Sequence, residues 1–265
     1  MHTRLAAKLF LALALFLGAA APAWAATEDA INGRLSGNWS GYVATRDKYT
    51  GVGATWTVPA LAATTTLMTD VAWLGIGGSK SKDLIQAGTQ GAVQNGKTQY
   101  WAWYELLPDY QVVVPFKVAA GDRVSASLFE ITPGFWHLSF FNLTTGAEFQ
   151  KALEYRSKYS SVEWIQEMPK VFSKDSVQLY APLSEFGSVT FSNAFAIVNG
   201  KYKSAEDARA RAVTMVSKQG KVPLATPSEI EEGTFTVVRS KAVAAPAASG
   251  NKSSTKSSDI VWSRN

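Results

Sequence analysis

The chain has 265 residues, of which 46% are hydrophobic and 18% are charged, so it is long enough to bury a substantial core. Its formal net charge of +5 arises at the two ends, because 20 basic and 20 acidic residues remain when 1–25 and 241–265 are set aside. This balance gives no support to nucleic-acid binding. The chain has no cysteine and only two histidines, which excludes thiol catalysis and any site built from several histidines, and we expect neither metal nor cofactor.

Residues 1–25 have the layout of a secretory signal peptide. The stretch "MHTRLAAKLFLALALFLGAAAPAWA" has a basic start, an apolar run and small residues at Ala23 and Ala25. The apolar run is short for a membrane span, so we predict cleavage after Ala25. Residues 26–35 would then form a short polar lead-in, and the protein would be secreted or periplasmic, with no membrane partner after signal removal.

From Ser36 onward the sequence is a succession of short aromatic and β-branched runs separated by Gly, Pro, Asn and Asp. Among these runs are "WSGYVA", "GVGATWTVP", "DVAWLGIGG", "TQYWAWYELLP" and "FWHLSFFNLTTG". Many turn signals lie about ten residues apart, which is typical of an antiparallel sandwich or barrel. The run "DRVSASLFEI" alternates with particular clarity, with Val124, Ala126 and Leu128 on one side. We predict one all-β domain over 36–240.

Two segments depart from the strand pattern. "SAEDARARAVTMVSK" (204–218) begins with a capping-type Ser204, early acids and an alanine-rich body, which predicts one short helix. Residues 241–265 are rich in Ala, Ser, Lys and Pro with little periodicity, and we predict a disordered tail there.

The run "SVEWIQEMP" (161–169) places two acids four positions apart in an apolar setting. In a strand, Glu163, Ile165 and Glu167 share one face, and Trp164 lies on the other. Taken by themselves, the two acids fit a solvated strand face over a buried tryptophan, because charged residues on strands usually face water.

Several stretches together resemble the glutamic peptidases called eqolisins. They are "NWSGYV" (38–43), "AWLGIGG" (72–78), "LIQAG" (84–88), "YWAWYELLP" (100–108) and "VEWIQEMP" (162–169), and they occur in the family's order. "FNLTTG" (141–146) and "APLSEFGSVTFSNA" (181–194) resemble bacterial members especially. The resemblance implies a two-sheet antiparallel β-sandwich of the concanavalin A-like, jelly-roll type, with a substrate groove across the concave sheet.

The family's catalytic residues are a glutamine and a glutamate, and the resemblance carries them over to Gln86 in "LIQAG" and Glu167 in "VEWIQEMP". It also places further side chains near a polypeptide substrate, namely Trp39, Trp73, Trp103, Tyr104 and Glu105. The three tryptophans fit the core of a sandwich equally well. Tyr104 and Glu105 are successive strand residues, so only one of them should face the groove.

The residue types suit peptide hydrolysis. A carboxylate can accept a proton from water and then return it to the leaving amine. A glutamine N–H is a neutral donor that can stabilise an oxyanion. We therefore expect a secreted, monomeric endopeptidase in which Glu167 activates water and Gln86 stabilises the oxyanion, with the acid pH preference that the resemblance implies.

Departures from the fungal pattern predict a less acidic groove. Fungal members carry an acid at the positions of Gly77, Gln90 and Trp101, and a tyrosine at the position of Leu107. Fungal subsite preferences should therefore not be transferred to this chain.

Two other functions remain open from the sequence. A glycoside hydrolase could use Glu163 and Glu167, although four strand residues separate their Cα atoms by ~13 Å and retaining chemistry needs carboxyl groups about 5–5.5 Å apart. A non-catalytic lectin-like module would depend on groove tryptophans and would tolerate loss of Gln86 and Glu167.

Overall fold

The computed structural model describes residues 34–173, 178–218, 222–240 and 260–261, which form 19 strands. The first ten are β1 (Arg34–Ser36), β2 (Trp39–Ala44), β3 (Tyr49–Thr57), β4 (Met68–Gly77), β5 (Leu84–Gln94), β6 (Lys97–Leu106), β7 (Val112–Val113), β8 (Arg123–Thr132), β9 (Phe135–Asn142) and β10 (Ala147–Glu154). The others are β11 (Val162–Glu167), β12 (Lys170–Ser173), β13 (Gln178–Tyr180), β14 (Ser188–Val198), β15 (Lys201–Ser204), β16 (Arg211–Val216), β17 (Pro223–Pro227), β18 (Phe235–Arg239) and β19 (Ile260–Val261). The predicted signal peptide lies outside the described residues.

The strands form one long hydrogen-bonded path that folds back on itself. Its order is β10-β9-β8-β3-β14-β18-β17-β16-β2-β11-β4-β5-β6-β7, with β1 added beside β16 and β15 beside β14. All pairs along this path are antiparallel, whereas β1 runs parallel to β16. A second, three-stranded sheet has the order β13-β12-β19. The prediction of an all-β, antiparallel architecture is confirmed.

The core lies between the two halves of this path. In β8, Val124, Ala126 and Leu128 are buried, as their alternation predicts. Side-chain hydrogen bonds also cross the core, from Trp56 Nε1 to Thr89 Oγ1 at 2.9 Å and from Trp164 Nε1 to the Gly53 carbonyl at 3.1 Å. These bonds satisfy two large indole groups that burial would otherwise leave unpaired.

The predicted helix over 204–218 is wrong. The Ser204 hydroxyl accepts the backbone N–H of Asp207 at 3.2 Å, so the capping signal is real, but it supports only a turn that ends at Arg209 with φ +58. The chain then forms β16, which pairs with β2 and β17. The hydrogen bonds and packing that β16 gains between β2 and β17 outweigh the local helix propensity of this alanine-rich segment.

The predicted tail, 241–265, falls mostly outside the described residues. Within it the structure describes Ile260–Val261, which pair antiparallel with β12. No helix long and apolar enough to cross a membrane occurs in the part of the chain that the structure describes.

Candidate active site

Strand β11 lies between β2 and β4 in the middle of one half of the sandwich. Glu167 pairs with Trp39 on one side and Val71 on the other, and Glu163 pairs with Val43 and Gly75. Because side chains alternate along strands, Glu163 and Glu167 lie on the same face, as predicted. The neighbouring Trp164 points the other way into the inter-sheet core. We call the face that carries Glu167 the groove face.

Two N–H donors hold the Glu167 carboxyl group. Asn38 Nδ2 donates to Oε1 at 2.8 Å, and Trp73 Nε1 donates to Oε2 at 2.8 Å. Removal from water raises the pKa of Glu167 to about 7, and the nearby charge of Glu105 adds to this rise, while the indole groups of Trp73 and Trp39 and the Asn38 amide oppose it. Glu167 is therefore a positioned carboxyl group that carries a proton in acid solution.

Gln86 lies on β5, where it pairs with Gly75 on one side and Glu105 on the other. Its side chain is buried, and Nε2 donates to Glu105 Oε2 at 2.5 Å, while Oε1 has no partner in the described part of the chain. Since an ionised carboxylate can only accept, this contact orients the amide nitrogen toward Glu105 and leaves the second N–H of the amide for another acceptor. Burial raises the pKa of Glu105, although the hydrogen bonds from Gln86 and the Gln111 backbone oppose the shift.

Glycines make room around the two side chains. Gly75 separates Gln86 from Glu163 across the sheet, and a Cβ at Gly75 would lie 3.0 Å from the Gln86 Cβ and 2.8 Å from the Ile85 carbonyl oxygen. A Cβ at Gly88 would lie 2.6 Å from the Cβ of Trp73. These close approaches explain the glycines at positions 75 and 88, and the register of β11, β4 and β5 puts both sequence-predicted catalytic residues on one face of the sheet.

The predicted groove aromatics fall into two groups. Trp39 is partly exposed and packs edge-to-face against Trp73, with ring centroids 5.2 Å apart. Trp73 and Trp103 belong to a buried cluster on the groove face and have 0% and 3% of their surface exposed. In this conformation Trp73 and Trp103 pack beneath the surface of the groove and support it. Of the three tryptophans, Trp39 alone has part of its ring accessible to a substrate.

Tyr104 lies on the opposite face from Glu105. Its ring stacks on Phe149 at 6.1 Å within the inter-sheet core. This position removes Tyr104 from the residues that can touch a substrate in the groove, and of the predicted pair only Glu105 faces it.

Glu163 shares the groove face but is entirely buried. Among the described residues neither carboxyl oxygen accepts a hydrogen bond of good geometry, although the Ser161 hydroxyl and the Ser79 backbone lie close enough to lower its pKa in part. Burial raises the pKa of Glu163 well above its usual range. Glu163 is therefore an enclosed acid that a substrate in the groove does not reach, and a glycosidase that uses both acids of "SVEWIQEMP" loses one of its two groups.

Sequence reasoning missed the contribution of Asn38, the first residue of "NWSGYV", although that motif was recognised. It also missed a chain of neutral polar groups at the Glu167 end of the groove face. There Trp101 Nε1 donates to Gln111 Oε1 at 3.3 Å, Gln111 Nε2 to Gln90 Oε1 at 3.3 Å, and Gln90 Nε2 to Thr69 Oγ1 at 3.2 Å. The amide of Gln90 thus has defined partners at a position where fungal members carry an acid.

The glycine at position 77, another departure from the fungal pattern, has a local cause. Gly77 has φ +99, and a Cβ there would lie 2.1 Å from the carbonyl oxygen of Asp83. An L side chain would force the β4–β5 connection apart. Among the described residues, no group of three or more His, Cys, Asp or Glu side chains could hold a metal ion.

An antiparallel sandwich with a held glutamate and a buried glutamine on one sheet face is compatible with a glutamic-type peptidase. The chain belongs to the Peptidase A4 family, whose model matches residues 37–239. It is 30% identical to aspergillopepsin-2 from Aspergillus niger over 202 residues, which cover 67% of this chain and 70% of that protein.

Solved structures of glutamic peptidases share the fold. Scytalido-glutamic peptidase, crystallised with a transition state analog inhibitor, has a TM-score of 0.68 at 21% identity, covering 77% of this chain and 99% of that one. Aspergilloglutamic peptidase from Aspergillus niger has a TM-score of 0.56 at 28% identity, covering 65% and 99%. The family and fold together make this chain a hydrolase of peptide bonds.

Proposed function

We propose that the protein is a secreted endopeptidase in which Glu167 and Gln86 carry out the chemistry. The observation that carries this proposal is the pairing of roles on one sheet face. Glu167 is held by two N–H donors, and Gln86 is oriented by Glu105, so that an N–H remains for a substrate. Both groups come from one chain, so the site needs no second copy, and we propose that a monomer is active.

The protonation state of Glu167 determines how it acts. With a pKa of about 7, its carboxyl group carries a proton at acid pH and can both accept and donate. The water oxygen attacks the carbonyl carbon and gives a proton to the unprotonated oxygen of Glu167. The other oxygen gives its own proton to the carbonyl oxygen, while a Gln86 N–H donates a hydrogen bond to that oxygen. The product of this step is a neutral tetrahedral diol, and Glu167 still carries one proton.

The second step reverses these transfers at the nitrogen. Glu167 donates its proton to the amide nitrogen, the C–N bond breaks, and one hydroxyl of the diol returns a proton to Glu167. The products are a carboxylic acid and an amine, and the enzyme regains its starting state. Because the protonated carboxyl group is the reacting form, activity should be retained in acid and should fall as pH rises through about 7.

The proposal of export depends on the signal pattern of residues 1–25. Its direct check is the N-terminal sequence of protein recovered outside the producing cell, which should begin at Ala26. An N-terminus that still contains residues 1–25 would contradict it.

The test of function is incubation of the purified protein with an unfolded protein substrate between pH 3 and pH 8. We expect internal cleavage in acid that declines above pH 7, and a decrease in kcat of about 10²–10³-fold in Gln86→Ala, the range seen when one oxyanion donor is removed. Glu148→Gln, an exposed change on β10, serves as the control and should leave the rate unchanged. Absence of cleavage at every pH would refute the proposal.

A further inference from the structure

A cluster of positive charge lies at the end of the groove face where β4 turns into β5. An open cleft of about 620 Å³ there is lined by Ser79, Lys80, Ser81, Lys82, Asp83 and Lys158. The side chains of Lys82 and Lys158 are exposed, and in the described part of the chain neither ammonium group has an ion-pair or hydrogen-bond partner. Arg34 adds a fourth cation, since its guanidinium lies 3.4 Å from Ser79 Oγ.

The acid of the cleft does not neutralise these lysines. Burial opposes ionisation of Asp83, but the backbone N–H of Lys158 and the hydroxyls of Ser81 and Ser157 outweigh it and lower the pKa of Asp83. Its Oδ2 accepts the Lys158 backbone N–H at 2.7 Å and the Ser157 hydroxyl at 3.2 Å, and its Oδ1 is buried. The Asp83 carboxylate thus bonds to the Lys158 backbone and to Ser157, and not to an ammonium group. The Lys80 ammonium donates to the Thr45 carbonyl at 2.8 Å, whereas the Lys82 and Lys158 side chains are exposed.

The cleft has a fixed frame. Besides the Asp83 contacts, Ser81 Oγ lies 2.8 Å from Ser160 Oγ, and the Gly77 backbone N–H donates to the Ser161 carbonyl at 3.0 Å. These bonds tie the β4–β5 connection to the segment that leads into β11. A ligand entering the cleft would therefore meet a pre-organised wall, which reduces the entropy lost on binding.

The cleft adjoins the first residues of β5, the strand that carries Gln86. Leu84 follows Asp83 directly and packs in the buried cluster of the groove face, and Gln86 lies two residues further along β5. Three strand residues from Asp83 to Gln86 span ~10 Å, about the length of three residues of extended substrate. The opposite end of the groove face carries the neutral chain formed by Gln90 and Gln111, with one cation, Lys97, beyond it on the β5–β6 hairpin, so the cluster of cations marks one end.

We propose that this cleft binds a carboxylate of the polypeptide substrate, about three residues from the bond that is cleaved, through Lys82 and Lys158. This selectivity is based on the proposed function of Gln86 and Glu167 in the same groove. The carboxylate could come from an Asp or Glu side chain or from the C-terminus of the chain being cleaved, because both present the same group to an ammonium.

Binding to the Glu167→Gln variant tests the proposal without depending on turnover. One arm uses fluorescent twelve-residue peptides of neutral sequence with an amidated C-terminus, each with a single Asp at a different position. The control for each peptide has Asn at the same position, and the ratio of the two affinities is measured. A second arm compares the neutral peptide with a free and with an amidated C-terminus. We expect about tenfold tighter binding in at least one arm, the sum of two exposed charge contacts, and a smaller difference at high salt.

The variants connect the preference to the cleft. Lys82→Ala/Lys158→Ala should reduce the tenfold ratio to less than about threefold, whereas Lys201→Ala, an exposed change on β15, should leave it intact. The proposal would be overturned if the Asp and Asn peptides bind equally and the free and amidated C-termini also bind equally. A preference that persists in Lys82→Ala/Lys158→Ala would overturn it as well. If the wild-type protein cleaves nothing but the ratio behaves as expected, the proposed function is wrong and the carboxylate site remains.

Discussion

We predict that the buried Asp70 makes the fold more stable in acid than at neutral pH. Its side chain is 2% exposed, Oδ2 accepts Gln166 Nε2 at 2.7 Å, and Oδ1 accepts the Ser184 hydroxyl at 3.1 Å. Despite these two donors, burial raises its pKa from 3.8 to about 7. The folded state thus holds the Asp70 proton more tightly than the unfolded chain does.

The sign and size of the effect follow from this difference. The stabilising contribution is complete below pH 3.8, the unfolded value, and is lost as pH rises through about 7. A shift of about three pH units at ~1.4 kcal/mol per unit corresponds to a loss of ~4 kcal/mol in the free energy of unfolding.

Asp70→Asn should remove this part of the pH dependence, because the amide cannot ionise. Its oxygen can still accept from Ser184, and its NH₂ can donate to Gln166 Oε1, a buried atom without a partner, once the Gln166 amide turns over. The assay is urea unfolding between pH 4 and pH 8. The wild-type free energy of unfolding should fall ~4 kcal/mol more than that of the variant from pH 4 to pH 8. Parallel curves would refute the reasoning, and the exposed Asp109→Asn should behave as wild type.

Further predictions concern the site and the β4–β5 connection. Trp73→Phe removes a donor to the Glu167 carboxylate, so the fall of kcat/KM at high pH should move up by about one pH unit; an unchanged profile would contradict this. Glu105→Gln removes a charge that raises the Glu167 pKa, so the decrease of kcat/KM should occur at lower pH. The same change releases the Gln86 amide that Glu105 orients, so kcat should drop at least tenfold. Gly77→Ala should lower the free energy of unfolding by at least ~2 kcal/mol more than Gly96→Ala, which also has positive φ but no atom within 4 Å of its Cβ; equal losses would refute the steric argument.

The strands could be predicted from the sequence because alternation records which side chains face the core. The face shared by Glu163 and Glu167 followed from the same periodicity, and the family resemblance brought Gln86 into the same site. The helix predicted over 204–218 failed because a local signal cannot show that β2 and β17 leave a place for a strand between them.

Burial of individual polar groups could not be predicted, since it depends on partners distant in sequence. Glu163 and Glu167 look equivalent in "SVEWIQEMP", yet Glu163 is fully buried with no well-formed hydrogen bond to its carboxyl group among the residues described. Glu167 is held by Asn38 and Trp73, which lie 129 and 94 positions away. Tyr104 and Glu105 also look equivalent in the sequence but differ in the structure. Successive side chains of a strand point to opposite faces, so Tyr104 faces the core and Glu105 faces the groove.

The most direct test of the proposed chemistry is the steady-state hydrolysis of one internally quenched peptide by wild-type protein and by Glu167→Gln at the same acid pH. Gln keeps the size and hydrogen-bonding capacity of the side chain but cannot exchange a proton with water or with the leaving amine. The account predicts a loss of at least about 10³-fold in kcat with unchanged thermal unfolding. A rate within tenfold of the wild type, in a variant that folds normally, would show that Glu167 does not carry the proton.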